Sequence, residues 1–209
     1  MTSPPDRGFR KAALTLPIAY LLWFTTFYVK PLNFWLDISV STLILFILSF
    51  AVSKKLPIRR PVRPGHLALG VVSAILLYFV FAGGREVARL LPFGATDIRS
   101  IYSLAESLNP VLIAVLLVFP IAVGEEVYWR GTILTQIARR YGRPVGYAIA
   151  ILANATVHLP AANPMLLVAA LVSSLVWGYL FLVTNDLLPS LVSHVLWDLL
   201  VFVILPLNL

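Results

Sequence analysis

Six side chains in the C-terminal half of the sequence have the types and spacing to do chemistry together: Glu125, Glu126, Arg130, His158, His194 and Asp198. Glu126 and Arg130 stand four residues apart, as do His194 and Asp198, so in helices each pair lies on one face. A carboxylate next to a second carboxylate, in water-poor surroundings, suits a general base that takes a proton from water. The same residue types also build proton relays. Glu125, His158, His194 and Asp198 further offer a His/carboxylate set to a divalent metal such as zinc, with an open position for water, although the sequence lacks His-Glu-x-x-His. The bland alternative is that the glutamates only pair with arginine and histidine to tie helices together.

The elements that must carry these residues are set by composition. Of 209 residues, 60% are apolar and 12% charged, with a mean hydropathy of +0.92, far outside the range of soluble domains. Apolar stretches of about 20 residues recur, the length an α-helix needs to cross a bilayer core about 30 Å thick. The fold class expected is all-α: a polytopic transmembrane bundle of about seven spans with the site buried between helices. The spans are placed at about Ala12–Val29, Phe34–Val52, His66–Ala82, a long helix from Pro110 to the basic group at Arg139, Pro144–Leu159, Pro164–Thr184 and Leu187–Leu207. Gly83 to Asn109 is read as one or two short interfacial helices. Residues 1–109 thus hold three N-terminal spans plus an interfacial segment, and residues 110–209 hold four catalytic spans, within one integral membrane domain.

Charge sets the orientation. Eleven basic residues (7, 10, 11, 54, 55, 59, 60, 63, 139, 140 and 143) fall at one end of the spans and four (30, 85, 89 and 99) at the other. The positive-inside rule then puts the N-terminus in the cytoplasm and the C-terminus outside. The formal charge of +7 is therefore read as topogenic, facing lipid, with no nucleic-acid partner. Cysteine is absent, which excludes disulfides and a thiol nucleophile. The five tryptophans and eight tyrosines are expected to mark membrane interfaces, with Tyr128, Trp129 and Trp197 available to line a groove. Ser174 and Gly178 read as a small-residue helix contact, and Asn163, Asn185 and His66 as span-end caps or solvated groups.

Inside such spans Glu125, Glu126, Arg130 and Asp198 would each cost roughly 2.5–3.5 kcal/mol if they faced lipid, so they must face protein or a wet cavity. At 1.5 Å per residue, Glu125 lies about 21 Å from Arg139, His158 about 21 Å from Pro144 and Asp198 about 17 Å from Leu187. All three distances are measured from the same membrane side, which puts the groups at similar depth.

The stretch Gly124-Glu125-Glu126-Val127-Tyr128-Trp129-Arg130-Gly131 resembles the Glu-Glu-x-x-x-Arg motif of the CAAX-protease and bacteriocin-processing family of intramembrane peptidases. Asn154-Ala155-Thr156-Val157-His158 stands where that family has Phe-x-x-x-His, and His194-Val195-Leu196-Trp197-Asp198 fits its His-x-x-x-Asn/Asp. Asn154 departs from the usual Phe, at a position expected to be helix packing. The resemblance covers about Asn109 to Val203, and the first hundred residues add only spans. It implies that Glu125 and His158 activate water for attack on a peptide carbonyl, that Arg130 neutralises Glu126, and that His194 and Asp198 serve the oxyanion. An ionised Asp198 cannot donate, so it must be protonated, orient His194 or bind metal. The implied activity is an intramembrane endopeptidase acting on a peptide or lipidated protein, the closest family reaction being removal of the tripeptide after a prenylated cysteine. Two other classes remain open: a non-enzymatic immunity or scaffold protein, and a proton-coupled carrier.

Overall fold

The computed structural model describes residues 7–53, 57–58 and 61–209. Lys54, Lys55, Arg59 and Arg60 of the basic loop lie outside the described residues, as does the start of the N-terminal segment. Among the described residues all regular structure is helical, and seven helices are long and apolar enough to cross a membrane, as expected. These are α1 (Arg7–Val29), α2 (Phe34–Val52), α3 (Pro64–Ala88), α5 (Pro110–Tyr141), α6 (Arg143–Thr156, continued by a short turn at Leu159–Ala161), α7 (Pro164–Thr184) and α8 (Leu187–Ile204). The short helix α4 (Gly94–Ser103) joins α3 to α5.

The chain turns where the sequence provides caps. Asn33, Asn109, Asn163 and Asp186 each stand before a helix and accept a hydrogen bond from a backbone N–H of its first turn. They thereby satisfy donors that have no partner within the helix. Pro110 and Pro164 follow as first helical residues, where the missing N–H costs nothing. Asn185 ends α7 in the left-handed conformation at φ 50°, which asparagine tolerates better than most residues.

Three local readings need correction. Span α3 does not stop near Ala82: it runs to Ala88, its last turn closed by Glu86 pairing with Arg85 at 2.6 Å and Arg89 at 2.8 Å. The interfacial segment is therefore shorter and holds one α-helix, α4, followed by a single turn of 3-10 helix. Helix α5 is not continuous. Phe119 leaves the helical region at φ −147°, ψ 128°, directly before Pro120, which has no N–H to continue the helical ladder. The tryptophans face protein: Trp23, Trp35, Trp129, Trp177 and Trp197 are all buried.

Helix α5 runs through the middle of the bundle, touching α1, α2, α6, α7 and α8. Two close approaches depend on glycine. A Cβ on Gly124 would stand 2.6 Å from the Thr42 carbonyl oxygen of α2, and one on Gly70 would stand 2.8 Å from the Pro189 carbonyl oxygen of α8. Gly178 of α7 meets Tyr147 of α6 at 3.0 Å in the same sense, which is the small-residue contact expected there.

Candidate active site

Helix α5 positions three of the six residues, Glu125, Glu126 and Arg130. From Val127 to Leu134 its turns are widened to π-helix and every residue is buried, a geometry often found at functional positions. Thr132 and Thr135 donate to the carbonyls of Val127 and Arg130, five residues back, at 3.2 and 2.9 Å. Glu126 and Arg130 face each other across this segment, Arg130 Nη1 lying 3.0 Å from Glu126 Oε1. The same oxygen accepts from His194 Nδ1 of α8 at 2.9 Å. His194 stacks on Trp177 of α7, ring centroids 3.7 Å apart and planes within 17°. The Arg130 guanidinium carbon lies 5.3 Å from that indole's centroid, so one buried tryptophan contacts both partners of Glu126. Trp177 Nε1 donates to Ser193 Oγ at 3.1 Å, and Ser193 bonds Ser73 of α3 at 3.2 Å.

His158 is not inside a helix. The α6 α-helix ends at Thr156, and His158 sits in the turn that follows, two residues before Pro160, which cannot continue the hydrogen-bond ladder. Its own N–H goes to Ala155 O at 3.1 Å, leaving the Asn154 carbonyl to the His158 ring, where Nδ1 lies 2.9 Å from it. A carbonyl only accepts, so Nδ1 carries the proton. Nε2 accepts the indole N–H of Trp23, from α1, at 3.2 Å. The two contacts together specify one neutral tautomer. Trp23 is also edge-on to Trp129 of α5 at 6.4 Å.

Glu125 differs from its neighbour. It makes no hydrogen bond or ion pair with any described residue, and it lines a cavity of about 320 Å³ together with Asn154, His158, His194 and Asp198. The remaining walls are almost wholly apolar, among them Phe27 of α1, Trp35 of α2, Phe81 of α3 and Ile101 of α4. At the α4 end Tyr102 lies on the wall, where burial raises its phenol above the ordinary value and its oxygen accepts the Leu207 N–H at 3.0 Å. Asp198 Oδ2 is 3.4 Å from His194 Nε2. Asn154, read from sequence as packing, is 4% exposed yet lines this cavity, so the departure from Phe puts an amide where an aromatic ring was expected.

The structure thus brings the six predicted residues to two linked places. Glu125, His158, His194 and Asp198 lie on the cavity wall, while Glu126 and Arg130 are sealed together behind it. Trp197 joins the wall as anticipated, whereas Tyr128 and Trp129 do not. Sequence reasoning missed Trp23 and Trp177, whose only signal was their position well inside α1 and α7, too deep for an interfacial belt. The metal set does not converge: among the described residues no three His, Asp or Glu side chains are grouped to hold an ion. Both nitrogens of His158 are engaged, and those of His194 face Glu126 and Asp198.

Residues 107–200 match a family model described as Rce1-like, type II CAAX prenyl endopeptidase Rce1-like. No curated protein and no solved structure matches the chain. The matched region begins just before α5, ends within α8 and contains all six residues. Over this region, just under half of its length, the chain is similar to the Rce1-like, type II CAAX prenyl endopeptidase family.

Proposed function

We propose that this protein is an intramembrane endopeptidase that hydrolyses a peptide bond in a membrane-presented substrate, with Glu125 as general base. The observation that carries the reading is the division between adjacent glutamates. Glu126 is held by Arg130 and His194, as a structural carboxylate would be, whereas Glu125 stands on the cavity wall without a partner among the described residues. A residue kept only to tie helices together would be expected to touch another helix's polar group.

In this reading Glu125 takes a proton from a water in the cavity and the resulting hydroxide adds to the scissile carbonyl carbon. The developing oxyanion needs a donor, and the His194 ring edge carrying Nε2 is available on the wall. Asp198, 3.4 Å from that nitrogen, orients it instead of donating itself. Glu125 then returns its proton to the leaving amine as the C–N bond breaks. His158, fixed by Trp23 and the Asn154 carbonyl, supports the wall beside the water. Lipid and a peptide or lipidated protein are the partners this requires, and the apolar walls suit aliphatic or aromatic side chains as well as a prenyl chain.

The test compares cleavage of a farnesylated peptide and of its unmodified counterpart by purified protein in lipid nanodiscs, with and without a metal chelator. Cleavage of either substrate that is lost in His194→Ala supports the reading, and loss on chelation would bring a metal into the mechanism. Uptake driven by a pH gradient without any cleavage would support a proton-coupled carrier, and tolerance of Glu125→Asp with no activity of either kind would support the immunity or scaffold reading.

A further inference from the structure

The cavity lies toward one end of the bundle and reaches past its middle along α7, which lines it from Met165 to Trp177. From α2 it is lined by Phe34, Trp35 and Ile38 at the helix start, from α3 by residues between Val80 and Ala88 at the helix end, and from α8 by His194 and residues beyond. Helix α5 contributes Leu117, Ile121 and Glu125 from its first half, and α6 only Asn154 and His158 from its close. Every one of these segments leads into the connections 30–33, 89–109 or 162–163, or into the C-terminus. None leads into the N-terminal segment, the loop 53–63 or the turn at 142. Helix α4 lies across this end and puts Ile98, Ile101 and Tyr102 on the wall.

The two ends differ sharply in charge. The end away from the cavity carries eleven basic residues against two acidic ones, Asp6 and Asp186. The cavity end carries four basic residues against four acidic ones, Asp37, Glu86, Asp97 and Glu106. Basic residues are retained on the cytoplasmic side during insertion, where they also face anionic lipid. The cavity therefore lies in the opposite half of the membrane.

We infer that the catalytic cavity takes its substrate from the non-cytoplasmic face, beneath α4, and that the substrate is an apolar stretch next to the membrane in an exported, membrane-anchored polypeptide. A peptide tail confined to the cytoplasm would have to cross the basic half of the bundle to reach Glu125. The substrate class rests on the peptidase reading above, while the direction of access stands without it.

The protein has no cysteine, so single cysteines report on sidedness in the otherwise intact chain. Thr96→Cys puts a thiol on an exposed position of α4, and Ala169→Cys puts one on the cavity wall. Gly65→Cys puts one at the start of α3, where an added Cβ meets nothing within 4 Å. A membrane-impermeant maleimide is applied to sealed right-side-out and inverted vesicles from cells making the full chain. The expected result is labelling of Thr96→Cys and Ala169→Cys at least about ten-fold faster in right-side-out vesicles, and of Gly65→Cys in inverted ones. The reverse pattern overturns the inference, and if Ala169→Cys does not fold the two surface positions still decide the side. In the same vesicles, a membrane-anchored reporter with its apolar stretch on the non-cytoplasmic side should be cut and its mirror-image counterpart should not. Cleavage of the mirror-image reporter alone overturns the proposal. Cleavage of neither, with labelling as expected, overturns the substrate class and the peptidase reading while the direction of access stands.

Discussion

Glu126 and Glu125 are neighbours with opposite surroundings, and their replacement should separate stability from activity. Glu126 is fully buried and Arg130 is 2% exposed, 3.0 Å apart. Glu126→Gln leaves the guanidinium without a counter-charge in apolar surroundings, and breaking a buried pair in this way costs about 3–5 kcal/mol. For a chain of this size that corresponds to a melting temperature lower by about 6–20 °C. Arg130→Met should cost a similar amount by stranding the carboxylate. The double variant should recover part of the loss, because neither charge is then buried alone, with a coupling energy of about 2–3 kcal/mol. His194 then donates to a neutral amide oxygen instead of a carboxylate, so a deficit of about 1 kcal/mol should remain. Glu125→Gln, at a position with no partner among the described residues, should stay within about 0.5 kcal/mol of wild type. Thermal or denaturant unfolding in one detergent measures all four. Equal destabilisation by Glu125→Gln and Glu126→Gln, or strictly additive single variants, would refute the assignment of Glu126 as the sealed structural carboxylate.

Three further outcomes follow from named contacts. Gly124→Ala forces a Cβ to within 2.6 Å of the Thr42 carbonyl oxygen, so it should destabilise by about 1–3 kcal/mol, whereas Gly83→Ala, with nothing within 4 Å of the added carbon, should show no such clash; matched melting curves check this. Trp23→Phe keeps the ring but removes the donor to His158 Nε2, so nitrogen NMR of labelled histidine should show a shifted His158 Nε2 resonance and a stability loss of about 1 kcal/mol. Trp177→Leu removes the ring that His194 stacks on at 3.7 Å and that also lines the cavity, so peptide cleavage should fall in kcat, with KM changing as well if the ring also meets the substrate.

Much of this architecture is legible in the sequence because hydropathy and cap residues act locally. The spans Phe34–Val52 and Pro164–Thr184 are placed to the residue, since each begins just after an asparagine cap. The Glu126–Arg130 pair is legible for a similar reason: four residues along a helix return to the same face, and one such turn later there is only one cation to meet. What escapes reading depends on contacts between distant segments. Trp23 and His158 are 135 residues apart in sequence, and nothing in either segment announces that an indole from the first span will occupy a histidine nitrogen in the fifth. Trp177 is masked by the habit of assigning tryptophan to interfaces. The extension of α3 to Ala88 is hidden by the charges that begin at Arg85, which read as interfacial but pair with one another along the last turn of the helix. Depth arithmetic puts the polar groups at one level but leaves open which way their cavity faces, a property that requires all the helix ends at once.

Everything proposed for the site rests on Glu125 performing the chemistry. The measurement that tests it most directly is the cleavage rate of a membrane-presented peptide by purified wild type and by Glu125→Gln, with both proteins shown to unfold at the same temperature. A general base contributes about 10²–10⁴-fold, so the expected result is a loss of at least about 100-fold with the fold intact. Cleavage by folded Glu125→Gln at the wild-type rate would contradict it.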